Sequence, residues 1–256
     1  MEDTAATTAP TDDRSEHPER PLFIPRALVV LASGWVFFSW VLLFGFNPPV
    51  QPQAASYSPS IQMLMMLIGV GIAIAWPMLR LSGRPSSMPT AQAALDGLSI
   101  FVLLQVVVWP LRLVTSWTLA RAIAVDAAIA AAIMLTAGIL ASTQGSRSQR
   151  VRTAGMLVLV LLVLAPAIGA FVAPAASRDA TTESDVEAAS DSTLPLILTA
   201  PSAPALLSRC AEPSTIDPSH LDRGVLFRAF ALGSAAWAVA LGVYAARQHR
   251  NHAKTL

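Results

Sequence analysis

Long apolar stretches broken by short polar or charged segments dominate the chain. The first runs from Ala27 to Phe46 without a charge and stops at Asn47-Pro48-Pro49, where two prolines forbid helix continuation. As a helix, a stretch of about twenty residues crosses a hydrocarbon core of roughly 30 Å. The same length recurs at Ile61 to Leu81, Ala91 to Leu111, Leu119 to Ser142, Thr153 to Val172 and Gly224 to Ala246. The pattern predicts an all-α, polytopic transmembrane bundle of about six spans. Its segments are a disordered tail (1–26), a five-span membrane region (27–172), a largely irregular acidic loop (173–223), the sixth span (224–246) and a basic tail (247–256). Within the loop, Leu194 to Leu198 is one mildly apolar patch.

Small residues set the expected packing. Gly69, Gly71, Ala73 and Ala75 would let a neighbouring helix approach the second span closely. The alanine-rich fourth and sixth spans are expected inside the bundle, and the Leu/Val-rich fifth is expected against lipid.

Charge fixes an orientation. With the amino terminus inside, Arg14, Arg20, Arg26, Arg80, Arg84, Arg147, Arg150, Arg152, Arg247, Arg250 and Lys254 lie on the inner side. The outer side holds Arg112, Arg121, Arg178, Arg209, Arg223 and Arg228, and the first outer loop holds none. Basic residues collect in cytoplasmic loops, so both ends are expected in the cytoplasm and 173–223 outside. The amino-terminal tail carries Glu2, Asp3, Asp12, Asp13, Glu16 and Glu19, which does not fit the basic start of a secretory signal. The first stretch therefore reads as a retained span.

Composition agrees. The chain of 256 residues is 54% hydrophobic and 13% charged, about half the charge of a soluble domain. Such a chain needs a solvent that tolerates apolar surface, and the lipid bilayer is its first expected partner. No basic stripe interleaves with aromatics, so no nucleic-acid partner is expected. Lys254 is the one lysine among 17 basic residues; with abundant alanine and proline this suggests a GC-rich bacterial genome and an inner-membrane location.

Ionisable residues inside spans are the candidate sites. Asp96 falls near the inner end of the third span and Gln105 near its middle. Asp126 falls about two turns inside the outer end of the fourth span, with Arg121 at that end and Arg228 near the outer end of the sixth. A proton or ion relay needs carboxylates at graded depth, and these two acids lie at opposite sides of the bilayer. The spacing favours a structural role: Arg121 and Arg228 reach the headgroups, and Asp126 pairs inside the bundle. Arg121 and Asp126 are not at helix-facing spacing, so Arg228 is the expected partner of Asp126.

Trp76-Pro77 and Trp109-Pro110 are each followed by leucine and arginine, as expected where tryptophan and arginine meet headgroups and proline bends or ends a helix. Pro77 and Pro166 occupy corresponding positions if the chain is two inverted halves, a placement that in carriers marks broken helices. His17, His220, His249 and His252 all lie outside the spans, which excludes paired intramembrane haem ligands. No metal site, cofactor or catalytic residue is expected. Cys210, with Asp217 and His220 nearby in sequence, falls in what reads as irregular outer chain and is expected as a free thiol or one paired between molecules. Phosphate-binding glycine loops, His-Glu protease helices and nucleophile elbows are missing from the sequence.

Three function classes follow. A non-catalytic, membrane-embedded subunit of a larger complex, with other membrane subunits as partners, accords with the lack of a chemical site. A solute permease, either a secondary carrier or the membrane subunit of an ABC-type transporter, would use Asp126, Arg228, Gln105 and the paired prolines. A membrane enzyme would have to use Asp96 or Cys210 and has least behind it.

Overall fold

The computed structural model describes residues 26–41, 58–83, 86, 88–115, 117–146, 148–176, 202–211 and 223–252. Among them all regular structure is helical: α1 (Arg26–Trp40), α2 (Ser58–Ser82), α3 (Pro89–Val114), α4 (Leu119–Thr143), α5 (Gln149–Ala176), α6 (Ala203–Ala211) and α7 (Arg223–His252). Five of these, α2, α3, α4, α5 and α7, contain stretches long and apolar enough to cross a membrane. Helix α1 is apolar but shorter over its described residues, and the expected end of its span at Asn47-Pro48-Pro49 lies outside them. So do residues 1–25, residues 253–256 and the patch Leu194 to Leu198, whereas residues 247–252 of the expected basic tail continue α7 as helix.

Helix α4 is the axis of the bundle, packing against α2, α3, α5, α6 and α7. Its alanines explain this position: a methyl side chain lets a neighbouring backbone come close, and where lipid gives no hydrophobic push, close approach drives association. A Cβ built on Gly138 would lie 2.7 Å from Ala236 Cβ and 3.0 Å from the Trp237 backbone nitrogen, so α4 and α7 meet nearly backbone to backbone. Thr118 caps the start of α4, its hydroxyl accepting from the Arg121 N–H at 3.3 Å.

Burial separates the helices sharply. In α4, 56% of the apolar stretch is buried, against 11% in α5. The inner position expected of α4 is found, and α5 lies exposed on the outside of the bundle. Helix α7 departs from expectation, with 17% buried. Val225, Ala229, Gly233 and Ala240 form a single inward stripe, while Phe227 and Val239 point outward. Its alanines serve one close contact with α4 rather than burial on all sides. The outer surface of the bundle is apolar, with Val30, Phe37, Val106 and Phe227 all largely exposed. Water would penalise such a surface heavily and hydrocarbon would not.

Helix α2 contains one turn of π-helix, Gly71–Ala75, closed by the Trp76 N–H donating to the Gly71 carbonyl. Pro77 follows directly. Proline offers no N–H, and its ring crowds the carbonyl one turn back. The wider π-turn absorbs that crowding, so α2 continues to Ser82 instead of ending. Pro110 likewise lies within α3 without ending it. Pro166 lies within a continuous α5 with no π-turn, so the two halves are not broken at matching positions.

Helix α6 departs from the irregular chain expected over 173–223. Ala203, Pro204, Leu206, Leu207, Cys210 and Ala211 are all buried, against α2, α4 and α5. A Cβ on Gly69 would fall 2.6 Å from the Pro204 Cα, and the Ser202 hydroxyl donates to the Val163 carbonyl at 3.4 Å. Gly69 and Val163 sit near the middles of α2 and α5, so α6 begins at that level of the bundle. Backbone at such a level is tolerated where protein surrounds it, and here it does. The small-residue stretch of α2 thus receives α6 at Gly69 and the indole of Trp35 at Gly71. Burial also corrects the placement of Cys210, which is 5% exposed. Its thiol is expected to resist a maleimide in the folded protein and to label at least tenfold faster once denatured; equal rates would place α6 outside the bundle.

Candidate functional site

Asp96 carries the most constrained charge in the bundle. It lies two turns into α3 and is 0% exposed. The Arg80 guanidinium of α2 grips it in a fork, Nε donating to Oδ2 and Nη2 to Oδ1. The Gln92 amide, one turn earlier on α3, donates to Oδ1 at 2.9 Å. Three donors therefore satisfy one buried carboxylate. The planar guanidinium suits this fork because it presents two parallel N–H groups at carboxylate spacing.

Local folding explains the meeting. Arg80 lies in the last turn of α2, and the link to α3 is short, so antiparallel helices bring the end of one beside the start of the other. Gly83 is extended and breaks α2 there. Its carbonyl accepts from Arg152 Nη2 at the start of α5. On the same side, a Cβ at Gly145 would lie 2.7 Å from Arg247 Nη1 and 2.9 Å from Pro89 Cγ. The ends of α2, α4 and α7 and the starts of α3 and α5 are thus tied together at one end of the bundle.

At the other end, Gln105 of α3 and Asp126 of α4 lie at matching levels and face one another. The Trp109 indole donates to Gln105 Oε1 at 2.7 Å, which turns the amide nitrogen away from the indole. Gln105 Nε2, Asp126 Oδ1 and Arg121 Nε are buried without a hydrogen-bond partner. Arg228, the expected partner of Asp126, is exposed on α7, and no ion pair joins the two. The reason is the one-sided packing of α7: the stripe facing α4 is Val225, Ala229 and Gly233, and Arg228 falls off it.

The structure thus brings together two of the five candidate residues, Asp126 with Gln105, and holds Asp96, Arg121 and Arg228 apart from them. Arg80 and Gln92 were missed as partners of Asp96. The i, i+4 spacing of Gln92 and Asp96 is a usable signal; Arg80 reads from sequence only as an inner-side basic residue. Among the described residues no group of three metal-ligating side chains exists.

Comparison of the chain with protein families, with characterised proteins and with solved structures finds no match. What it shares with membrane proteins is physical: five helices long and apolar enough to span a bilayer.

Proposed function

We propose that the chain is a multi-pass protein of a bacterial inner membrane, six spans with both ends in the cytoplasm, and that it serves as a non-catalytic subunit of a larger membrane complex. The observation that carries this is the state of its buried charge. Asp96 is saturated by Arg80 and Gln92 and closed to solvent, so the strongest polar cluster is spent on holding helices. Such a cluster fixes register and orientation between helices. The remaining surface is apolar and available to lipid or to other subunits.

The second reading, a solute permease, draws on α6. A short helix that begins at the mid-level of its neighbours resembles the discontinuous helices of carriers, and Asp126 with Gln105 would supply polar groups between α3 and α4.

Two measurements test these. A periplasm-active reporter fused near Ser190 is expected to be active and one fused after Arg150 inactive; the reverse would overturn the orientation. Extraction in mild detergent is expected to yield an assembly containing other polypeptides, unchanged by Asp126→Asn. A single-chain particle that moves solute in proteoliposomes, and loses that flux on Asp126→Asn at normal abundance, would replace the subunit reading with the permease.

A further inference from the structure

Helices α1 and α3 wall an open groove on the outer surface of the bundle, lined by apolar side chains that include Phe37, Val102 and Val106. Its α3 wall runs from Leu95 to Leu111, about 24 Å of helix. That exceeds one leaflet of a hydrocarbon core, about 15 Å. The Ser99 hydroxyl on this wall donates to its own Leu95 carbonyl at 2.7 Å, so it asks nothing of an occupant.

The mouth of the groove has a different chemistry. Trp40 lines the groove beside Pro110 and Leu111, and Pro110 continues into a recess formed with Trp109, Arg112 and Trp117. One end of the apolar groove thus carries Trp40 and adjoins, through Pro110, a recess that holds two more indoles and a guanidinium. Among the described residues the carboxylates are Asp96, held by Arg80, and Asp126, beside Gln105. Neither forms an ion pair with Arg112. A guanidinium with no carboxylate partner among the described residues, set beside the indoles of Trp109 and Trp117, is complementary to a phosphate at headgroup level.

We propose that this groove binds one glycerophospholipid, its acyl chain along Val102 and Val106 and its phosphate on Arg112. The proposal rests on the membrane reading above, but its test compares variants of the detergent-solubilised full chain. A protein that proved water-soluble would sink the membrane reading before any lipid was added.

Native mass spectrometry of delipidated protein titrated with dioleoyl phosphatidylglycerol reads the site. One lipid is expected to bind well ahead of the rest. Arg112→Gln should weaken that first event about tenfold, and Arg112→Lys should weaken it less. Val102→Trp fills the groove from an exposed position and should weaken it about tenfold with unfolding unchanged. Wild-type binding by both Arg112→Gln and Val102→Trp would overturn the proposal. So would displacement of the lipid by inorganic phosphate alone, or a dimer abolished by Val102→Trp, which would make the occupant a second copy.

Discussion

Asp96→Leu is expected to destabilise the folded chain by about 3–5 kcal/mol, the usual cost of removing one member of a buried ion pair. The cost comes from what is left behind. Arg80 would keep its charge among α2, α3 and α5 with no acceptor, and Gln92 would lose the oxygen it donates to at 2.9 Å. Replacing both partners, Arg80→Met with Asp96→Leu, removes the stranded charge and should recover most of the loss. Asp96→Asn should fall between, since it keeps an acceptor oxygen but not the charge. Equilibrium unfolding in mixed micelles measures all three. A double variant as unstable as the worse single one would show that the pair contributes more than mutual neutralisation.

The second large effect is expected at Gly69. A Cβ there would meet the Pro204 Cα and N at 2.6 Å, and both are backbone atoms that cannot swing aside. Gly69→Leu must therefore displace α6, at a cost of about 1–3 kcal/mol or more for overpacking. Displacement should uncover Cys210, so maleimide labelling of the folded variant should approach the denatured rate. Gly34→Leu is the control, because nothing lies within 4 Å of its added Cβ. Unchanged Cys210 protection in Gly69→Leu would contradict the packing of α6 on α2.

Much of the bundle was legible in the sequence, for a simple reason. A helix that must satisfy its own backbone in hydrocarbon announces itself by length and by lack of charge, and α2, α3, α4, α5 and α7 all do. Helix α6 did not, because nine residues carrying Pro204, Ser208 and Arg209 look like loop. Its burial depends on Gly69, far away in the chain. The same limit hid Arg80. Sequence showed it in the last turn of an apolar stretch, where a basic residue reads as a topological marker. Only the packing of α2 on α3 turns it back onto Asp96. Arg228 failed in the opposite direction: it lies toward the same outer side as Asp126, but the face of α7 that meets α4 is chosen by small residues, and Arg228 lies off that face.

Alkaline carbonate extraction of membranes containing the full chain tests the central claim most directly. Protein held only by surface contacts is stripped into the supernatant; helices with side chains such as Val106 and Phe227 in the acyl layer stay with the pellet until detergent is added. Complete retention followed by release in detergent is the expected result. Recovery of a monodisperse chain in the carbonate supernatant would contradict it.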